Sequence, residues 1–304
     1  MLRPCSKHEF WQYSDFAYSL AMDLTKSGYP TCCDGIKTKE WFINRSLEAF
    51  GRDDEEMLVF EHAGRVQGFI HAYWLADDKY LSTASFNIAD HIALALEEFC
   101  EWAQSRFNGY ELYLGFPEEN SEAVGCLRVK GFELIKETYN NTAFLEKCNA
   151  APIGKDIVRI GRQNYGLFRA LHAQKEADMY WNSDRILADL NHWIVLTEVS
   201  NGEPQGTIYV KKCGDGWYEI FGIDTKKHDT GLLRRLLEAA LNKAKKSSAR
   251  FMTFFCDEED EDILKETGFI CIGKYLCFKN MVYLVCSNIR IQLPNRKSIQ
   301  PQTV

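Results

Sequence analysis

The amino-acid sequence predicts an α/β (α+β) fold that is built twice, as two tandem domains that each have a mixed sheet flanked by helices. Three observations predict it. The same motifs occur twice in the same order. Each set contains a hairpin followed by a strand, a long helix and a further strand. The long helix of the second set has a single apolar stripe. The chain has 304 residues, of which 46% are apolar and 26% charged, as expected for a globular protein of two domains.

The repeated motifs return after 137 or 138 residues. Gln67-Gly68 in the motif GRVQGFI corresponds to Gln205-Gly206 in GEPQGTI. Gly131-Phe132 in KGFELIK corresponds to Gly268-Phe269 in TGFICIG. Several matches in one order at nearly constant spacing indicate that one domain was duplicated.

Each copy begins with a helical region, which is predicted at Phe16–Phe50 and at Tyr165–Leu190. Hairpins follow at residues 57–70 and 194–208, where strand-like runs surround short turns. A strand, the amphipathic helix, a strand, a short helix and a last strand complete each copy. In the second copy these are predicted at Tyr218–Asp224, Gly231–Lys246, Phe251–Cys256, Asp260–Thr267 and Phe269–Phe278.

The segment Lys147–Asp156 contains small residues, a proline and a glycine, and is the predicted linker. The domains are therefore expected to span residues 1–148 and 149–304. The tail from Ser287 has two prolines and few apolar residues, so it is expected to be peripheral.

The cysteine pattern and the absence of targeting signals favour the cytoplasm. The 11 cysteines are odd in number and form no CxxC pair, unlike a secreted disulfide framework. The N-terminus does not resemble a secretory signal, and no apolar run is long enough to cross a membrane. No metal-ligand spacing and no basic-aromatic stretch occurs, so we expect no metal, no nucleic acid and no membrane partner.

A polar loop in the second copy has the arrangement of a phosphate site. The sequence EIFGIDTKKHDTGLLRRLL places this loop between a strand and the amphipathic helix. Backbone N–H groups at a helix N-terminus are unpaired and favour anions. Gly231 permits close approach of the backbone, and Lys226 and Lys227 add positive charge. The alternative is a plain N-cap formed by Asp229 or Thr230.

The order of elements resembles that of the Gcn5-related N-acetyltransferase (GNAT) superfamily, and the chain resembles a tandem GNAT protein. The family loop reads Gln/Arg-x-x-Gly-x-Gly/Ala, and here it becomes His228-x-x-Gly231-x-Leu233. The family's short helix carries Asn, Ala, Tyr and Gly-Phe. The first copy has Asn120, Ala123, Leu127 and Gly131-Phe132 at these positions, and the second has Asp257, Asp260, Leu264 and Gly268-Phe269. Leucine thus replaces the tyrosine that serves many family members as general acid.

The resemblance implies two GNAT-like domains with mostly antiparallel sheets, and acetyl-CoA as co-substrate. It implies that acetyl-CoA binds the second copy, because Asp90 occupies the position of Gly231 in the first copy and would repel a pyrophosphate. The second half is also the more basic half of a chain with a formal charge of −7. The implied acetyl-CoA site comprises Phe221, Ile223, Lys226, Lys227, His228, Asp229, Thr230, Gly231, Leu232 and Leu233.

The implied reaction transfers the acetyl group to an amine of a small molecule or peptide. The amine must be neutral to attack, so a general base is needed. Glu219, on the strand before the loop, is the first candidate and Asp224 the second. Tyr29 and Asp34, in a turn-rich loop of the first copy, are candidate acceptor-binding residues. The alternative is a catalytically inactive GNAT-like protein that binds a ligand or partner. The sequence does not indicate the oligomeric state.

Overall fold

The computed structural model describes residues 1–148, 152–174, 179–214, 216–227 and 229–283. In this part of the chain, the strands join in one twelve-stranded sheet, and nine α-helices pack on it. The first half contains β1 Leu2–Pro4, α1 Lys7–Gln12, α2 Ser14–Ala21, α3 Lys39–Glu48, β2 Glu55–His62, β3 Arg65–Leu75, β4 Tyr80–Ile88, α4 Ile92–Arg106, β5 Glu111–Pro117, α5 Ser121–Val129 and β6 Glu133–Phe144. The second half contains β7 Ile157–Arg159, α6 Gly166–His172, α7 Ser183–Ala188, β8 Trp193–Ser200, β9 Glu203–Gly214, β10 Trp217–Thr225, α8 Thr230–Lys246, β11 Phe251–Cys256, α9 Glu261–Glu266 and β12 Phe269–Met281.

The two halves have the same succession of elements from the hairpin onward. The series β2-β3-β4-α4-β5-α5-β6 corresponds to β8-β9-β10-α8-β11-α9-β12. Gly64 and Gly202 both have positive φ in the hairpin turns, as do Gly131 and Gly268 before the last strands. Because positive φ is open mainly to glycine, these paired positions explain why the repeat is visible in the sequence.

The sheet is mixed and mostly antiparallel, as predicted. Its strand order is β1-β2-β3-β4-β5-β12-β6-β11-β10-β9-β8-β7. The pairs β4–β5 and β10–β11 are parallel, and the other neighbours are antiparallel. The predicted fold class, an α/β (α+β) protein with helices flanking such sheets, is confirmed.

The last strands of the two halves are exchanged, which the sequence did not predict. β12, from the second half, lies between β5 and β6 of the first half. β6, from the first half, pairs with β11 of the second half. Each half therefore contains one strand from the other. The domain boundary at 148/149 stays a prediction, and residues 149–151 of the linker lie outside the described residues.

Helices cover both faces of the sheet. On one face α8 buries its apolar stripe, and Leu236, Leu237 and Ala240 are fully inaccessible to solvent. Burying each such leucine side chain contributes about 2 kcal/mol. The other face of the second half holds α6 and α7 around Phe168 and Tyr209. None of the described helices combines the length and the apolar character needed to cross a membrane.

Candidate active site

Two neighbouring strands of the second half diverge and leave a gap. β10 and β11 pair in parallel from Trp217 opposite Phe251 to Ile220 opposite Phe254. Beyond this point β10 stays with β9, where its register shifts at Ile220/Gly222, while β11 continues along β6. Within the described residues, no backbone hydrogen bond from another segment reaches the facing edges at 221–223 and 255–256. In the part of the chain that the structure describes, the backbone of these residues is therefore unpaired on the side of the gap.

The corresponding gap of the first half is filled by the chain itself. β4 and β5 pair only at Tyr80–Glu111 and Leu81–Leu112, and then diverge. The segment Lys26–Tyr29 enters between them. Ile88 donates its N–H to the carbonyl of Lys26 (3.0 Å), and Gly28 donates to Phe86 (2.7 Å). The strand edges of this gap are thus already hydrogen-bonded.

Two further contacts hold the segment in this gap. Tyr29 donates its N–H to the carbonyl of Gly115 on β5 (2.8 Å). Asn120 donates its side-chain amide to the carbonyl of Ser27 (3.1 Å) and accepts from the N–H of Ala123, so it also caps α5. A Cβ on Gly28 would lie 2.9 Å from the Cβ of Phe86, so the strands leave room only for glycine. The first half keeps the Asn of the family motif but uses it to hold its own loop.

The predicted phosphate loop of the second half begins α8, but its cap is acidic. Asp229 is the N-cap, and its carboxylate accepts from the N–H of Leu232 (3.0 Å). Its carbonyl accepts from Leu233 (2.9 Å), so Thr230 and Gly231 carry the remaining first-turn amides. A carboxylate at this position would repel a bound anion, as Asp90 would at the start of α4 in the first half.

The other predicted loop residues differ in exposure. Leu232 and Leu233 are buried in the core, so only their backbone reaches the loop. Lys227 is exposed, and Lys226 is exposed beside Glu203, with 3.5 Å between Nζ and the carboxylate. His228 lies outside the described residues.

The two strand residues predicted to contact acetyl-CoA lie on opposite faces of β10. Ile223 packs against the core beneath α8. Phe221 lies on the other face, with its ring 5.3 Å from that of Trp193 and 6.1 Å from that of Trp181. Phe221 is therefore the one that faces the side of the sheet on which Glu219 also lies.

Glu219 lies on β10 just before the gap and is surrounded by lysines. It pairs across the ladder with Lys211 on β9 and with Thr253 on β11. Burial raises the pKa of Glu219 to about 7, against the opposing charges of Lys37, Lys136 and Lys211. The Sγ of Cys213 lies 3.9 Å from its carboxylate. A carboxylate that titrates near neutral pH is suited to accept a proton in the physiological range.

Asp224 has a different environment from Glu219. It is buried, and its carboxylate lies 2.9 Å from Nδ1 of His172. The Nε2 of His172 contacts the carbonyl of Trp181 (3.0 Å). This pair therefore links β10 to α6 and to the loop that carries Trp181, within the core. The sequence offered no signal for His172, because its partner is 52 residues away.

The two predicted acceptor-binding residues lie where the halves meet. The ring of Tyr29 lies 4.4 Å from that of Tyr275 and 5.6 Å from that of Phe255. Asp34 is buried, accepts from the N–H of Lys37 (3.0 Å) and forms an ion pair with its ammonium group. The Tyr29 side chain therefore packs the loop of the first half against the sheet, whereas Asp34 holds the turn of the loop itself.

A cleft of about 850 Å³ opens on the same face of the sheet as Glu219 and Phe221. Both halves contribute to it, and it is lined by Tyr73, Leu75, Asp78, Tyr80, Glu111, Tyr113, Lys136, Met179, Tyr180, Trp181 and Phe221. Sequence reasoning found only Phe221 among these residues. The others come together only because the strand exchange places β5, β12 and β6 side by side.

No phenol takes the place of the family's tyrosine on the short helices. Leu127 and Leu264 are both completely buried in the cores beneath α4 and α8. In the described part of the chain, no group of three or more His, Cys, Asp or Glu side chains is arranged to hold a metal ion.

The fold is shared with acetyltransferases of known structure. A GCN5-related N-acetyltransferase from Sphaerobacter thermophilus is similar with a TM-score of 0.62 and 13% identity, over 93% of this chain and 96% of that chain. The chain has the GNAT fold. A putative acetyltransferase from Pyrococcus horikoshii has a TM-score of 0.50 and 11% identity, over 93% and 90% of the two chains. The GNAT fold implied by the sequence resemblance is therefore confirmed.

A third similar structure is a GCN5-related glucosamine N-acetyltransferase region in a fungal multi-domain β-N-acetylglucosaminidase. It has a TM-score of 0.58 and 10% identity, over 92% of this chain and 38% of that chain. No family model matches the sequence, and no curated protein matches it. With identities this low, the GNAT likeness lies in the fold.

Proposed function

We propose that the chain is an acetyl-CoA-dependent N-acyltransferase whose acyl site is the gap between β10 and β11. The observation that carries this proposal is the contrast between the two gaps. The gap of the first half is closed by Lys26–Tyr29, whereas among the described residues no other segment pairs with the backbone at 221–223 and 255–256 in the second gap. Free N–H and C=O groups on a strand edge can pair with the amide groups of an extended acyl carrier. The first half then serves as a scaffold.

The proposed reaction begins with an amine in the cleft beside Phe221. Glu219 accepts a proton, directly or through a water molecule, and the neutral nitrogen attacks the thioester carbonyl carbon. A C–N bond forms, the C–S bond breaks, and the sulfur leaves as a thiolate, while the attacking nitrogen releases its second proton to solvent to give the neutral amide. Because Leu264 cannot donate a proton, the thiolate takes its proton from solvent. Pairing of the carbonyl with the free edge of β10 would position it for attack.

The pyrophosphate of acetyl-CoA would lie at the N-terminus of α8, near Thr230, Gly231, Lys226 and Lys227. The negative charge of Asp229 would repel the pyrophosphate. We therefore expect removal of this one charge to increase the affinity for acetyl-CoA. We also propose a cytoplasmic location, because the odd number of cysteines without a CxxC pair is unlike a secreted disulfide framework.

Calorimetric titration of acetyl-CoA into the full chain and two variants tests the binding site. Asp229→Asn keeps an efficient N-cap and removes the charge, so it should bind acetyl-CoA about tenfold more tightly, with a dependence on salt. Asp90→Asn makes the same change at the closed gap and should leave affinity unchanged. If only Asp90→Asn alters binding, or if acetyl-CoA does not bind the chain, the proposed site is wrong.

The alternative, a non-catalytic ligand-binding protein, is favoured by two observations. The Asp229 carboxylate would repel the pyrophosphate of acetyl-CoA. Leu264 stands where many GNAT proteins have a tyrosine that acts as general acid. Release of free thiol from acetyl-CoA in the presence of a panel of amines separates the two functions. Binding of acetyl-CoA without amine-dependent thiol release would support the alternative.

A further inference from the structure

The cleft between the two halves has aromatic walls. In the first half Tyr80 stacks on Tyr113 with 4.7 Å between ring centroids, and Tyr73 lies 6.0 Å from Tyr80. In the second half the rings of Trp181 and Phe221 lie 6.1 Å apart. Aromatic rings on both sides of a cleft favour an aromatic ligand, because contacts between rings add to the burial of apolar surface.

Both acidic groups of the cleft are already paired. The Glu111 carboxylate accepts from Lys279 and from the hydroxyl of Tyr113, at 2.6 Å each. Asp78 forms an ion pair with Arg185 (2.9 Å), which bridges the two halves at the rim. Neither carboxylate is left to bind a cationic ligand.

Lys136 supplies the remaining charge of the cleft. It is exposed on β6, and in the described ranges it forms no ion pair or hydrogen bond. β11 ends opposite Tyr139, so the stretch of β6 that carries Lys136 borders the open gap. Its charge also opposes the rise in the pKa of Glu219, which places both groups in one electrostatic environment. An unpaired ammonium group in an aromatic cleft selects for an anionic ligand.

We propose that the acceptor is an aromatic amino acid, with its ring between the aromatic walls, its carboxylate on Lys136 and its amine toward Glu219. The proposed binding of the ring and of the carboxylate depends only on the residues that line the cleft. The assignment of the amine as the group that is acetylated rests on the proposed function.

Three matched ligands test the proposal by calorimetry without acetyl-CoA. L-Tryptophan carries amine and carboxylate, tryptamine lacks the carboxylate, and indole-3-propionate lacks the amine. Tryptophan and indole-3-propionate should bind at least tenfold more tightly than tryptamine. Lys136→Met keeps the apolar stem of the side chain and should remove this preference, lowering affinity for the two carboxylates about tenfold and leaving tryptamine unchanged.

Two further variants act as controls. Lys212→Met removes an exposed lysine from the face of β9 that is directed away from the cleft. It should change none of the three affinities. Tyr80→Leu should lower the affinity for all three ligands, because it removes part of one aromatic wall of the cleft. The proposal is overturned if tryptamine binds as tightly as tryptophan, or if Lys136→Met does not affect the carboxylates. If the carboxylate preference holds but tryptophan stimulates no thiol release from acetyl-CoA, the site stands and the acyltransferase function fails.

Discussion

At the scale of single residues, Glu219 and Asp224 are two candidates for the general base that differ in their surroundings. Both are carboxylates on β10. Asp224 is buried against His172 within the core, whereas Glu219 lies beside lysines on the face that carries the cleft. Both fit the residue type needed for a general base, and their different neighbours favour Glu219.

The pKa of Glu219 leads to a prediction for the pH dependence of catalysis. Because burial raises its pKa to about 7, kcat/KM should rise with pH and level off above about pH 7. Glu219→Gln should lower kcat by about a hundredfold or more and abolish this rise. The measurement is amine-dependent thiol release from acetyl-CoA between pH 5.5 and 9, with Glu101→Gln, an exposed change on α4, as control.

Thermal unfolding distinguishes lost catalysis from lost folding in the same variant. The pKa of Glu219 in the folded chain lies above its ordinary value of 4.5, so the folded state binds the proton more tightly than the unfolded state. Its contribution to stability is therefore complete below about pH 4.5 and is lost as the pH rises to about 7. Glu219→Gln should raise the Tm above pH 7. A variant that is both inactive and less stable there would argue against Glu219 as a half-buried base.

At the scale of elements, the loop between α2 and α3 explains why the two copies differ. This loop spans residues 22–38 and reaches into the gap between β4 and β5. Its counterpart between α6 and α7 spans only 173–182, of which 175–178 lie outside the described residues. A loop insertion on a surface is inexpensive in free energy, so one copy can close its own gap without a change of fold.

Asn120 provides a test of how this loop is held. Asn120→Ser keeps a side chain that can cap α5 but cannot donate to the carbonyl of Ser27, and it should lower the free energy of unfolding by about 1 kcal/mol. Asn120→Ala also loses the N-cap of α5 and should lower the free energy of unfolding by about 1 kcal/mol more. Urea unfolding measures both effects. Amide exchange should show lower protection of Gly28 and Tyr29 in Asn120→Ser; unchanged protection would mean that Asn120 does not hold the loop.

At the scale of the whole molecule, the strand exchange makes each half depend on the other. β12 completes the first half beside β5, and β6 completes the second half beside β11. The sheet continues through both halves without an open edge between them. A half on its own would expose unpaired strand edges, which favour aggregation.

Cleavage between the halves gives the corresponding prediction. Limited proteolysis near residues 149–156 should leave two fragments that elute together in gel filtration and unfold in one transition, because the exchanged strands stay paired. Residues 1–148 and 149–304 should form a one-to-one complex when co-expressed, and each should be poorly soluble when expressed alone. Two separately folded, monomeric halves would contradict the exchange.

The sequence by itself determined the repeat, the order of elements and the position of α8. These features depend on local patterns: glycines at positive φ in turns, and apolar residues at a 3.6-residue period. It also predicted that Glu219 and Phe221 lie on the strand before the loop, as they do. Local pattern was enough here because each of these elements is encoded within a few adjacent residues.

Only the tertiary structure decided which copy is open, which strands are exchanged and where the cleft lies. The segment Lys26–Tyr29 enters its gap through hydrogen bonds to β4 and β5, which lie far along the chain. Lys136 and Phe221 line one cleft, although they belong to different halves. Such contacts depend on how strands pair across the sheet. Because the hydrogen bonds of a ladder are made by backbone groups, the choice of partner strand between distant segments leaves little trace in the amino-acid sequence.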